Sequence, residues 1–306
     1  MKKLIKICLF VLVVLMLAAC SGGGSGNNNG GTSGAKKIAD DLDVIALHFA
    51  APTEFENVER YCESTVDGKL IEKDITYNLA NGESITYAAM PEQLLSDLTS
   101  LDTFEQIEVN GFTVYRYDSG NDIMGFIQNG NDLYAIDYNM TTPDDGSALK
   151  EILGNVSFTK NTTTITDKGD FDEVNYTFDD SHKVYDVSTR IVEDPDGKMQ
   201  EKTVYWSFGE SDENQDFRFY IHVYKNSALD GVLLENKTYE DKEINGITFK
   251  ALINDDGSPT YEYDAEHDGD VYIFRNNGVS NGWFGVTRSD ESNTYFDKFI
   301  NSVSFK

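Results

Sequence analysis

The chain has 306 residues, of which 40 % are apolar and 25 % charged, and its formal net charge is −28. That composition excludes a disordered chain, which would be poorer in apolar and aromatic residues. So acidic a body also excludes nucleic acid as a partner, because phosphate binding needs clustered Lys and Arg. The 3 cysteines exclude a disulfide scaffold.

The chain opens with three lysines (Lys2, Lys3, Lys6), and then runs apolar from Ile7 to Ala19, 13 residues in all. The run is shorter than the ~20 residues a membrane-crossing helix needs. A basic start, a short apolar middle and small residues at the end predict a secretory signal peptide over 1–19. Its end, Leu17-Ala18-Ala19-Cys20, resembles the lipobox of bacterial lipoproteins. The resemblance implies that cleavage falls before Cys20 and that the Cys20 thiol takes a diacylglyceryl group. Each buried methylene of an acyl chain adds about 0.8 kcal/mol of membrane affinity, so two or three long chains hold a protein almost permanently. The expected location is the extracytoplasmic face of the cell membrane.

Residues 20–36 are nearly all Gly, Ser, Asn and Thr. Such a segment cannot bury enough apolar surface to offset its ordering entropy, and it predicts a flexible tether spanning roughly 20–25 Å.

The remainder reads as a duplication. Asp67-Gly68-Lys69-Leu70-Ile71-Glu72-Lys73 sits over Asp196-Gly197-Lys198-Met199-Gln200-Glu201-Lys202, and Ile45, Leu47 and Phe49 fall on Val174, Tyr176 and Phe178 at the same offset. Further on, Thr103 to Val114 sits over Thr238 to Phe249, with Asn110-Gly111 matching Asn245-Gly246. Both copies close alike, in Val156-Ser157-Phe158 and Val303-Ser304-Phe305. The expected domains are a repeat over 37–160, a polar linker over 161–170 and a second repeat over 171–306.

Val184 to Val192, Val204-Trp206-Phe208 and Phe217-Phe219-Ile221 alternate with period two and predict half-buried strands. Leu133 to Tyr138 and Val271 to Phe274 read likewise. The Asp-Gly and Asn-Gly pairs predict hairpin turns. Leucine spacing predicts a helix over 91–101, with a counterpart over 227–235, and two more helices precede the closing strands, over 147–153 and 292–300. Together these predict an α+β class: two tandem domains, each a mainly antiparallel sheet packed by a few helices. The element order is similar to the PsbP/Mog1-like α/β/α sandwich, a resemblance that implies no particular activity.

Chemistry is sparse. His48, His182, His222 and His267 form no metal-binding spacing, and neither a G-x-S-x-G elbow nor a phosphate-binding loop is present. No cofactor, catalytic residue or metal site is therefore expected. Cys62 reads as a small buried hydrophobe. The acidic turns at Asp194-Pro195-Asp196-Gly197, Asn254-Asp255-Asp256-Gly257 and Asp264 to Asp270 offer oxygens to calcium, but those residue types also serve tight turns. Tyr115 with Tyr117, and Tyr261 with Tyr263, share sheet faces, as core packing or as stacking surfaces for sugars or peptides. Trp283, beside glycines, is the aromatic to test first. The expected role is non-catalytic binding or scaffolding at the cell envelope. Its partners would be the membrane through lipid on Cys20, and an envelope protein, glycan or small ligand. The alternatives are a hydrolase of envelope polymers using a carboxylate pair, and a lipoprotein delivering a ligand to a transporter.

Overall fold

The computed structural model describes residues 47–49, 52–97, 104–143, 145–158, 173–210, 215–280 and 286–306. Cys20, the expected tether, the segment 161–170 and Trp283 lie outside them. In chain order the first strands are β1 (Leu47–His48), β2 (Asn57–Thr65), β3 (Leu70–Asn78), β4 (Ser84–Met90), β5 (Glu105–Val109), β6 (Phe112–Ser119), β7 (Asp122–Asn129) and β8 (Asp132–Asn139). Helix α1 (Ser147–Leu153) and β9 (Ser157–Phe158) follow. Then come β10 (Val174–Asn175), β11 (Val184–Glu193), β12 (Met199–Gly209), β13 (Gln215–Tyr224), the one-turn helix α2 (Leu229–Val232), β14 (Thr238–Ile244), β15 (Ile247–Ile253), β16 (Pro259–His267) and β17 (Asp270–Ser280). The chain ends in β18 (Val286–Thr287), α3 (Asp290–Ile300) and β19 (Ser304–Phe305).

Two compact units result: the described residues up to Glu56 and from Thr76 to Phe158, and those of Asn57–Ile75 with everything from Glu173 onward. In the first, antiparallel strands lie in the order β4-β8-β7-β6-β5, and β1 pairs with β9. In the second the order is β14-β15-β16-β17-β13-β12-β11-β2-β3, and β10 pairs with β19. Strand β2 joins the second unit through eight register pairs with β11, from Asp186 opposite Thr65 to Glu193 opposite Val58. Arg60 Nε donates to Glu193 Oε2 and Arg190 Nε to Glu59 Oε2, each at 2.8 Å, which ties the two strands on both faces.

The hairpins form where left-handed backbone is cheapest. At the β14–β15 turn Asn245 and Gly246 have φ of 54° and 78°, and at the β5–β6 turn Asn110 and Gly111 have 52° and 80°. Each Asn also caps the C-terminal end of a helix: Asn245 Nδ2 donates to the carbonyl of Asn301, after α3, and Asn110 Nδ2 to that of Gly154, after α1, both at 2.6 Å. The core of the second unit lies under α3. Phe296 and Phe299 pack on Phe219, and Tyr295 sits 5.3 Å from Phe208 and 5.2 Å from Phe217. That helix starts cleanly because Ser289 Oγ accepts from the Ser292 amide while Ser292 Oγ accepts from the Ser289 amide. In the first unit α1 buries Leu149 and Leu153.

The fold class differs from the α+β expectation. Among the described residues 56 % are in strands and 11 % in helices, so the protein is a β-rich, mostly antiparallel structure and not a sheet generally packed by helices. Two of the four expected helices are the reason. Over 91–97 only a 3-10 turn forms, Leu95–Asp97, because Glu92 takes a left-handed φ of 58° that no helix continues, and Leu94 is left exposed. Over 227–235 a single turn forms around Gly231, bounded by Asn226 and Asn236 with φ of 52° and 63°. The leucine spacing was real, but the backbone residues around it prefer turns.

Gly246→Ala will lower stability by about 1 kcal/mol, because the φ at Gly246 is costly for any residue with a Cβ. Gly231→Ala, whose new Cβ meets nothing within 4 Å, will be neutral or will raise stability by up to about 1 kcal/mol. Urea unfolding of the two variants checks the opposite signs.

Candidate functional site

Alternation leaves the second unit with one apolar face, under α3, and one polar face. On β13 the residues Phe217, Phe219, Ile221 and Val223 point to the core, so Arg218, Tyr220, His222 and Tyr224 take the other face. Register lines these up with their neighbours in rows. One row runs Glu63, Ser188, Tyr205, Tyr220, Arg275, Glu262 across β2, β11, β12, β13, β17 and β16. The next runs Tyr61, Arg190, Thr203, His222, Ile273, Asp264 over the same strands.

The charges on this face are largely matched. Arg275 Nη1 lies 3.1 Å from Glu262 Oε2 and donates to Tyr220 Oη at 3.3 Å. Arg218 Nε donates to Ser207 Oγ at 2.9 Å while its guanidinium lies 5.6 Å from the Tyr205 ring centre. Besides Glu59, Arg190 reaches Glu201 at 3.6 Å. Tyr61 Oη donates to Glu63 Oε2 at 3.0 Å, and the Tyr205 and Tyr220 rings lie 5.2 Å apart. The tyrosines and arginines are half-buried here, not sealed, apart from Arg275, which is exposed at 39 %. They present ring faces and planar polar groups to whatever approaches.

Two acids on this face are dry enough to hold protons near neutrality. Burial and the neighbouring Glu262 carboxylate push Asp264 up to about 8, against the pull of Arg275. Burial and Glu59 push Asp74 up to about 7, against Arg190. His222 goes the other way: burial and the Arg190 charge depress it to about 4, so it is neutral, and it shares a 2.6 Å hydrogen bond with Thr203.

The residues singled out from sequence fall elsewhere or into packing. Tyr115 and Tyr117 lie against a buried cluster of Ala88, Met90, Met124, Phe126, Leu133 and Ala135, and Tyr261 and Tyr263 belong to the core under α3. His182 packs between Phe217 and Tyr295, and His267 stacks on Phe305 at 4.3 Å. Cys62 is half-buried and is not in a disulfide. The acidic turns spend their oxygens locally: Asp194 Oδ1 accepts from the amides of Asp196 and Lys198, and Asp256 Oδ1 from the amide and hydroxyl of Ser258. Sequence reasoning missed the polar row itself. Its signal was present in the polar half of the same alternation, Arg218-Tyr220-His222-Tyr224. At the edge of the sheet, an open depression of about 270 Å³ is lined by Lys242, Leu252, Pro259, Tyr261 and Glu262 among others.

No family model and no curated protein matches the chain. Among solved structures it is similar to the immunity protein TplEi of T6SS from Pseudomonas aeruginosa complexed with "L" peptide, at 9 % identity and a TM-score of 0.20, over 86 % of this chain and 98 % of that one. It is also similar to MucB, at 8 % identity and a TM-score of 0.17, over 82 % of this chain and 93 % of that one. At such TM-scores neither likeness bears on fold or function.

The raised acids set a pH dependence. An unfolded aspartate loses its proton near 3.8, whereas folded Asp264 keeps it to about 8. Across that window the folded state binds the extra proton, so stability falls as pH rises. Asp264→Asn removes the titration and will flatten the decline by about 1.4 kcal/mol per pH unit. Urea unfolding of wild type and variant between about pH 5 and 7 measures it; equal slopes would mean that Asp264 ionises normally.

Proposed function

We propose that this chain is a lipid-anchored protein of the extracytoplasmic membrane face, with no catalytic role, whose second unit binds a glycan on the polar face of its sheet. The observation that carries the anchor is Leu17-Ala18-Ala19-Cys20 after a basic start and an apolar run. Cys20 is the lipidated residue of this reading, and residues 20–36 are its tether. Among the described residues no helix is long and apolar enough to cross a membrane, so the anchor, not a helix of the folded part, supplies the attachment in this reading.

The binding half is supported by half-buried Tyr61, Tyr205 and Tyr220 beside the planar guanidinium of Arg275, which Glu262 holds at 3.1 Å and which stays 39 % exposed. Sugars offer flat apolar faces for rings and hydroxyls for such groups. Against the hydrolase alternative, the carboxylates Glu262 and Asp264 are only 7 % and 2 % exposed, too enclosed to reach a polymer chain. The duplicated architecture proposed for 37–160 and 171–306 is supported by the matching strand orders β4-β8-β7-β6-β5 and β13-β17-β16-β15-β14.

Metabolic labelling with a fatty-acid probe will mark wild type and leave Cys20→Ala unlabelled; equal labelling refutes the anchor. On a glycan array, Tyr205→Ala with Tyr220→Ala will cut the signal of the folded part about tenfold or more. A double variant that binds as wild type would move recognition away from this face.

A further inference from the structure

A second oxygen cluster lies in the first unit and owes nothing to the polar face of the second. Asp137, in the second half of β8, stands opposite Thr86 of β4 on one side and Met124 of β7 on the other. One pair along the same face, Asn139 stands opposite Ser84 and Asp122. Asp137 is 2 % exposed, Asp122 4 % and Thr86 2 %. Asn139 Nδ2 donates to Asp122 Oδ1, and the Thr86 hydroxyl shares a 2.8 Å hydrogen bond with that of Thr76. Both carboxylate oxygens of Asp137 lack a hydrogen-bond partner. Among the described residues neither aspartate is in an ion pair.

Buried acceptors with no donor are costly, and a carboxylate most of all. The second unit meets one such demand, at the same place in its strand order, with a protein group, although Asp186 of β11 is left without a hydrogen-bond partner there. There Arg275 of β17, between β13 and β16, answers Glu262 and bonds Tyr220. The first unit puts an acid inside β8 and, among the described residues, pairs no cation with it. We propose that Asp137 and Asp122, with the side-chain oxygens of Asn139 and Thr86, bind a hard divalent cation, calcium. Two carboxylates balance its charge. Carboxylate, amide and hydroxyl oxygens are the donors it takes, water completing a shell of about six to eight. The set lacks the imidazole and thiolate ligands that draw zinc or copper, and the enclosed position disfavours magnesium, which gives up its water reluctantly. Burial and the Asp122 charge also push Asp137 up to about 7, so a proton competes with the metal there.

Calorimetric titration of the full folded part with calcium chloride at about pH 7.5, at constant ionic strength, tests the site, with thermal unfolding alongside. Wild type will bind calcium and melt at a higher temperature in its presence. Asp137→Asn, which removes a buried charge and should fold at least as well, will bind at least tenfold more weakly and lose the calcium-dependent shift. Asp122→Asn will weaken binding in the same direction. Glu151→Gln, an exposed acid on α1, will match wild type. The proposal is overturned if Asp137→Asn binds as wild type does. It is also overturned if Glu151→Gln loses binding equally, or if calcium stabilises wild type no more than sodium at matched ionic strength.

Discussion

The aromatic contact between α3 and the strands β12 and β13 is the constraint on which the second unit depends. Phe296 and Phe299 press on Phe219, while Tyr295 closes over Phe208 and Phe217. Once those residues are committed to the helix side, the period of two leaves no choice for the rest of each strand. Arg218, Tyr220 and His222 must face away, and so must Tyr205 and Thr203 beside them. A slip of one residue would put charged groups under α3, so the register that builds the core also builds the polar rows. The arrangement of Tyr, Arg and carboxylate across six strands is thereby a product of hydrophobic packing on the opposite face.

Strands and hairpins were legible in the sequence because their signals are local. Alternation over Phe217-Phe219-Ile221 and the left-handed pairs Asn110-Gly111 and Asn245-Gly246 need no tertiary information, and the structure has strands and turns there. The helices over 147–153 and 292–300 were equally visible, the latter opening on a Ser289 cap. The excess helix was misread from leucine spacing. Leu94 and Leu98, or Leu229 and Leu233, satisfy helical spacing, yet Glu92, Asn226 and Asn236 bend the backbone at those places. Pairing between distant strands was not legible at all. That Tyr61 stands opposite Arg190, and Arg275 between Tyr220 and Glu262, is set by register across long sequence separations. The polar face could therefore not be assembled from spacing alone.

The buried charges show how differently a sheet can treat an acid. Glu262 is matched by a guanidinium 3.1 Å away, and Glu59 by another at 2.8 Å. Asp264, two residues along from Glu262, shares its neighbourhood with that carboxylate and holds a proton instead. Matching and protonation are the two ways an interior tolerates a carboxyl group, since an unpaired ionised one costs far more than folding can return. Asp137 has neither a guanidinium nor a hydrogen-bond donor, the latter a lack it shares with Asp186 of β11, and burial pushes Asp137 up to about 7.

Abundance of acid is thus a poor guide to chemistry in this chain. With 53 Asp and Glu against 25 Lys and Arg, a site read from acidic clusters would be placed at the turns. Those turns spend their carboxylates on their own amides, as Asp194 and Asp256 do, and in water such groups bind cations weakly. A carboxylate gains power over a ligand when solvent is removed and its lone pairs are left over. Strand interiors achieve this and exposed turns do not. The residues that distinguish themselves, Asp137 and Asp264, sit buried inside strands and not at exposed turns.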